Sequence, residues 1–289
     1  ISHALPQTPG ATLSTPDTPS SFTLDWVEYD DPGDGQRWST WGSVEPLCRG
    51  PEPRPEWVVT SAGAIDSELG ILKTGKEADV HLIERADPVD PERGVVMAAK
   101  RYRSPEHATF QRSSAYTDGR RVRDSRVMRA MARKTEFGRE VSAGQWAIAE
   151  WGSLNRLWQL GMSVPYPVQI DGTEILMEWI SVDGDSAPRL AQMRPGRVTL
   201  DNYWSQVLDA LRLLASEGLV HGDLSPYNIL AAGERLVFID LPQVVDLFAN
   251  PHGHDLLHRD CRNVVSWFAA RGLDLDADDV FATVAAAAF

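Results

Sequence analysis

One stretch restricts the fold of this chain more than any other: His221-Gly222-Asp223-Leu224-Ser225-Pro226-Tyr227-Asn228. Upstream, Trp204, Val207, Leu208, Leu211 and Leu214 recur at helical spacing, and Gly218 closes that amphipathic run. Downstream, Ile229-Leu230-Ala231 and Leu236 to Ile239 flank a turn at Gly233-Glu234, a hairpin pattern that ends in Asp240. The polar loop therefore joins a helix to a hairpin. Asp223 and Asn228 are five positions apart, and Asp240 follows Asn228 by twelve. Phosphoryl transfer needs such a set. One carboxylate orients the attacking hydroxyl or water, and a second carboxylate with an amide holds Mg2+ against phosphates, because Mg2+ takes oxygen ligands and few of them from protein. Taken singly these are ordinary turn and strand-end residues. Their order and spacing carry the reading.

The upstream half supplies candidates for a nucleotide clamp. Val95 to Tyr102 reads as a strand with Lys100 near its end. Fifty residues later Glu150 lies within a helix marked by Ile148, Trp151, Leu154 and Trp158. That order suits a lysine that grips phosphates and a glutamate that holds the lysine. Earlier still, Glu68–Leu72 and Ala78–Glu84 form two β-like runs around Lys73-Thr74-Gly75-Lys76-Glu77. This turn has neither GxGxxG nor GxxxxGK[ST]. Its hydroxyl, backbone N–H groups and Lys76 suit a phosphate cradle nonetheless. Trp57–Thr60 reads as a further strand, Glu174–Ile180 as a buried one, Asp183–Pro195 as a loop, and 253–271 and 276–288 as helices. Strands precede helices, so the chain is expected to be α+β, in two lobes around a cleft. Residues 1–21 read as a Pro/Ser/Thr-rich tail and 22–56 as a poorly regular extension whose tryptophans anchor on the main domain. Residues 57–180 read as the N-lobe, with a basic insert at 103–140 and the helix at 144–160, and 181–289 as the C-lobe.

Composition narrows the class. With 43% hydrophobic and 24% charged residues in 289, a sizeable core forms and a wholly disordered chain is excluded. No apolar run approaches the ~20 residues of a membrane span. Residues 1–20 lack the charged and apolar regions of a signal peptide. The two cysteines, Cys48 and Cys261, exclude a disulfide-dense scaffold and point to a reducing, cytoplasmic setting. A net charge of −13 argues against nucleic-acid binding by the surface as a whole. The exception is 103–140, where ten Arg and Lys face five acids. That stretch reads either as a solvated segment or as a contact for RNA, a ribonucleoprotein or an acidic partner. His252, His254 and His258 read as capping or surface residues, because His-x-His seldom converges on one metal. Cys261, on an apolar face with Val264, Val265 and Phe268, reads as core.

Several of these motifs together resemble the RIO family of atypical serine protein kinases, in particular its type-one branch. The matching pieces are Thr74 to Val80, Ala99 to Tyr102, Trp146-Ala147 with Glu150, Val164 to Pro167, Leu176 to Ile180, His221 to Asn228, Phe238 to Gln243 and Arg259 to Val264. The resemblance implies a bilobal protein-kinase-like fold without an activation segment. It implies that Lys100 contacts the phosphates of ATP and pairs with Glu150, and that Thr74, Gly75 and Lys76 form the phosphate loop. Met177 would be the gatekeeper, and Glu178 and Ile180 would present the backbone that reads adenine. Asp223 would be the catalytic base. Asn228 and Asp240 would hold Mg2+ (or Mn2+), with Asp240 also placed to accept phosphate in an ATPase cycle. The protein acceptor, a partner or the chain itself, is not named by the resemblance. The departures are Lys73 where the family commonly has serine, Gly222 inside the catalytic loop, and Leu241-Pro242 after Asp240. Two rival readings stand beside this one. The first is a small-molecule phosphotransferase of the aminoglycoside/choline type, which shares an HGDxxxxN loop. The second is an ATP-gated assembly factor docking through 103–139.

Overall fold

The computed structural model describes residues 32–103 and 136–289, and over 136–142 it describes the backbone only. The N-lobe is built on a six-stranded antiparallel sheet in the order β1-β2-β3-β4-β6-β5. Its strands are β1 (Gln36–Trp38), β2 (Ile65–Thr74), β3 (Ala78–Asp87), β4 (Asp90–Tyr102), β5 (Pro167–Asp171) and β6 (Glu174–Glu178). Helix α1 (Glu136–Gln159) connects β4 to the β5–β6 hairpin and lies against the sheet.

The two faces of this sheet do different work, because side chains alternate along a strand. On β4, Ala98 and Tyr102 join the main core with Ala147, Trp151 and Leu154 of α1, while Met97 and Ala99 point into a second cluster. Lys100 shares the face of Ala98 and Tyr102. The register places Ala98 opposite Met177 and Lys100 opposite Ile175. The second cluster, with Ile83, Tyr166, Val168 and Leu176, is roofed by Trp41, Trp57 and Val58. Trp57 and Trp158 both meet Tyr166 edge-on, at 5.8 Å and 5.1 Å between ring centroids. A sheet covered on both faces over this stretch explains why Val95–Ala99 of β4 is an unbroken apolar run.

The described part of the extension, from residue 32 to β2, therefore packs as part of the N-lobe sheet and its roof. Gly50 donates its N–H to Val168 O at 2.8 Å. A Cβ there would lie 1.9 Å from Pro167 O, so no larger residue fits. Under this roof Arg85 is fully buried. Its guanidinium donates to both oxygens of Asp66, at 2.6 and 2.9 Å, and to Gln169 Oε1 at 2.9 Å. Gln169 in turn donates to Thr40 Oγ1 at 2.7 Å. Strands β2, β3 and β5 are thus pinned to the extension through one paired charge.

Beyond β6 come the small hairpin β7 (Ser181–Val182) and β8 (Asp185–Ser186), then α2 (Arg197–Ser216). Next are β9 (Leu219–Val220), the hairpin β10 (Ile229–Ala232) and β11 (Arg235–Phe238), β12 (Val245–Asp246), α3 (Gly253–Ala269) and α4 (Ala277–Ala286). The main core runs continuously from α1 and the inner sheet face into α2, α3 and α4. The fold is the bilobal, protein-kinase-like α+β architecture.

Two local expectations need correction. Trp57–Thr60 is not a strand; it is irregular chain in which Trp57 and Val58 serve as roof. Pro167 opens β5 at the sheet edge, where a missing N–H is tolerated. Helix α1 begins at Glu136, so 136–140 is helix rather than insert. The rest of the basic stretch, 104–135, and the tail 1–21 lie outside the described residues. No helix among the described residues is long and apolar enough to cross a membrane.

Replacing Asp66 by alanine would strand the Arg85 charge in the second core. The expected loss is about 3–5 kcal/mol, read as a lower urea midpoint at unchanged slope, with Asp66→Asn losing less. Wild-type stability in Asp66→Ala would show that the pair does not pin the lobe.

Candidate active site

A cleft of about 720 Å³ lies between the lobes and collects most of the residues singled out in the sequence. Gly75, Lys76, Lys100, Glu150, Met177, Glu178, Ile180, Asp223 and Asp240 all line it. Thr74 does not: it is exposed, paired across the hairpin with Asp79. Asn228 also stands outside the lining, buried behind it, where its Nδ2 donates to Asp223 O at 2.8 Å.

Lys100 is the centre of the site. Its Nζ donates to Glu150 Oε1 at 2.7 Å and to Asp240 Oδ1 at 3.0 Å. Burial alone pulls the ammonium down, but the Glu150 and Asp240 carboxylates outweigh it and hold Lys100 well above its ordinary value. Lys100 in turn holds the Asp240 carboxyl low. Glu150 is engaged on every side. Tyr102 donates its hydroxyl to Oε2, and Leu241 N approaches Oε1 at 3.4 Å. Burial among these groups pushes the Tyr102 phenol well up, which keeps it a donor.

The backbone around the two aspartates is set in uncommon geometry. Gly222 has φ of 81° and Asp240 φ of 65°. The first explains the glycine between His221 and Asp223, since a left-handed residue costs least without a Cβ. The second is a conformation that aspartate tolerates better than most residues, at about 1–3 kcal/mol when not locally compensated. It is clamped on both sides: Ile239 N donates to Asn228 O at 2.9 Å, and the Asp240 side chain bonds Lys100.

His221 acts from behind the loop. Its Nδ1 accepts from Asp223 N–H at 3.4 Å, so the proton is assigned to Nε2, which faces Ile239 O at 3.3 Å. Burial pushes the imidazole down to about 4, so it is neutral near pH 7.

Sequence reasoning missed the residue that holds the loop from below. Asp260 of α3 is fully buried and accepts Gly222 N at 2.7 Å and Leu224 N at 2.9 Å. Arg259 donates to Gly222 O, and Asn263 to Leu224 O at 3.0 Å. Burial pushes the Asp260 carboxyl up to about 7, although the two N–H donors and Arg259 favour its charged form. A signal was present. Asp260 lies on the same apolar stripe as Leu256, Leu257 and Val264, and an acid there needs a partner. Also unassigned from the sequence were Lys73, Glu77 and Arg189, which line the cleft. Burial, followed by the Asp240 carboxylate, pushes the Glu77 carboxyl up.

His252, His254 and His258 do not converge. His258 bonds Asp278 at 2.7 Å, His254 lies edge-on to Phe248, and His252 stands 4.0 Å from Asp255. Cys261 is buried in the core.

A two-lobed fold with a lysine–glutamate–aspartate centre in its cleft defines the protein-kinase-like class. The comparisons with known proteins narrow it. The model of the RIO domain matches residues 88–280, more than half of the chain. The RIO-type serine/threonine-protein kinase Rio1 of Haloferax volcanii is 34% identical over 219 residues, which are 76% of this chain and 69% of that protein. The Rio1 kinase of Methanocaldococcus jannaschii is 29% identical over 214 residues, covering 74% and 67%. The rio1 kinase of Dictyostelium discoideum is 30% identical over 210 residues, and the chain spans 33% of its length. Among solved structures, the Rio2 kinase of Chaetomium thermophilum in its ADP/Mg2+-phosphoaspartate complex is similar at a TM-score of 0.49 and 20% identity, over 75% of this chain and 62% of that one. The chain belongs to the RIO family of serine/threonine-type protein kinases.

The neutral His221 carries a pH signature. An imidazole near 6.5 when unfolded and about 4 when folded stabilises the fold above pH 6.5 and loses that contribution as pH falls toward 4. Between pH 7 and 5 the loss from this group is about 2 kcal/mol. Urea unfolding at the two pH values should show a gap smaller by that amount in His221→Gln than in wild type. Equal gaps would mean that His221 is charged in the fold.

Proposed function

We propose that this chain is a Mg2+-dependent RIO-type protein kinase that transfers the γ-phosphate of ATP to serine on itself or a partner. The observation that carries this is Lys100, bonded at once to Glu150 and Asp240 in a cleft that Asp223 also lines. Apolar side chains in the lining, Val80, Ala98, Met177 and Leu230, suit a flat purine, and the charged groups of the same lining suit its phosphates. Glu178 and Ile180 are the backbone positions at the connection between lobes that would read the adenine edge.

The donor set fits Mg2+. Among the described residues no three His, Cys, Asp or Glu converge as a protein-only metal cage. Mg2+ characteristically takes one or two protein oxygens and completes its shell with phosphate and water. Asp240 offers a carboxylate that is 47% exposed, and Asn228 has its Nδ2 committed to Asp223 O, so its oxygen is the atom left to bind metal. When bound, Mg2+ neutralises phosphate charge as the terminal P–O bond breaks.

The chain's own residues supply the rest. Lys100, held by Glu150, positions the phosphates. Asp223 accepts the proton of the attacking hydroxyl as its oxygen bonds to the γ-phosphorus and ADP departs. His221 and Asp260 keep the Asp223 loop in place. Catalysis is then mostly positioning and charge placement. The same Asp240 carboxylate suits a second course, in which it takes the phosphoryl group and water releases it. The family relationship favours a protein acceptor over an aminoglycoside or amino-alcohol. An assembly role through 103–139 rests on a stretch of which 104–135 lies outside the described residues.

The test follows label from γ-labelled ATP with Mg2+ in wild type, Asp223→Asn and Asp240→Asn. Acid-stable label on serine in wild type, reduced ~10²–10⁴-fold in Asp223→Asn with ATP binding retained, is the expected result. Hydroxylamine-sensitive label that needs Asp240 would assign the water-transfer cycle. ATP binding by all three with no phosphate moved by any would overturn the catalytic reading.

A further inference from the structure

Lys73 precedes the Thr74-Gly75-Lys76 turn and lines the cleft, and its position there has a consequence. It lies on β2 opposite Val80, at the irregularity that follows Ile71. Arg189 lines the same cleft from the other lobe. Its backbone bridges to Leu230 of β10, and its guanidinium donates to Tyr227 O on the catalytic loop.

The charges in the lining do not suit a polyphosphate without these two. The cleft presents four cations, Lys73, Lys76, Lys100 and Arg189, against five carboxylates, Glu77, Glu150, Glu178, Asp223 and Asp240. Lys100 is already matched by two of those carboxylates. Among the described residues neither Lys73 nor Arg189 makes an ion pair with a carboxylate. Burial, and then the Arg189 guanidinium, hold the Lys73 ammonium below its ordinary value, with Asp240 pulling the other way. Two like charges facing across a cleft are unfavourable alone and become favourable around an anion.

We infer that Lys73 and Arg189 form a phosphate clamp across the two lobes, in which Lys73 supplies charge that a serine at its position does not. This rests on the nucleotide-binding reading above and adds to it a residue that sets affinity for the phosphate chain rather than for the nucleoside.

The experiment titrates Mg·ATP, Mg·tripolyphosphate and adenosine into wild type, Lys73→Ser and Lys73→Arg by calorimetry, with Arg189→Gln alongside. Loss of one charge-assisted phosphate contact weakens binding about tenfold. Lys73→Ser is expected to lose that much for ATP and tripolyphosphate and less than about twofold for adenosine, with Lys73→Arg restoring both anions. Arg189→Gln is expected to weaken the same two ligands. Unchanged anion binding in Lys73→Ser, or an equal loss for adenosine, overturns the clamp. The nucleotide reading fails separately if wild type binds tripolyphosphate as tightly as ATP and ignores adenosine. If wild type binds none of the three, both readings fall.

Discussion

Lys100 joins three parts of the molecule that the chain places far apart. It stands on β4 of the N-lobe sheet, its first partner Glu150 is on α1, and its second, Asp240, follows the C-lobe hairpin. A buried ammonium is tolerated only when matched by opposite charge. Sheet, helix and C-lobe loop are therefore held to one arrangement by one requirement. Tyr102 tightens it by donating to the second oxygen of Glu150, so the glutamate has no freedom to turn away. The same geometry that keeps the lysine charged keeps Asp240 ionised and in its left-handed conformation.

Around that centre, rigidity comes from polar groups buried in pairs. The roof over the outer sheet face is pinned by Arg85, Asp66 and Gln169. The His221–Asn228 loop is pinned from α3 by Asp260, Arg259 and Asn263, and from behind by the neutral imidazole of His221. Fixed dipoles of this kind lower the reorganisation that charge movement would otherwise require. The cations Lys73 and Arg189 are different in kind, since among the described residues they line the cleft without an ion-paired carboxylate of their own. Phosphate charge is what their arrangement suits.

Much of this was legible in the linear chain. The hairpin around Lys73–Glu77, the strand carrying Lys100, the helix carrying Glu150 and the loop-and-hairpin from His221 to Asp240 are local patterns, set by side-chain periodicity and turn residues. Contiguous motifs keep their internal geometry wherever they are placed, so Asp223 and Asp240 could be named from spacing. Trp57–Thr60 misled because an apolar run fits a strand and a roof equally well.

What needed the tertiary structure was everything decided by burial and by long-range approach. Asp260 is one acid among many on paper and becomes the anchor of the Asp223 loop only when α3 packs beneath Gly222 and Leu224. Thr74 and Lys73 are neighbours with opposite fates, because strand alternation and a local irregularity turn one away and bring the other into the cleft. The sequence by itself determined which residue types the chemistry would use and the order in which they arrive. The packing of two lobes decided which of them meet, since desolvation and distance, not spacing along the chain, set the strength of a charge.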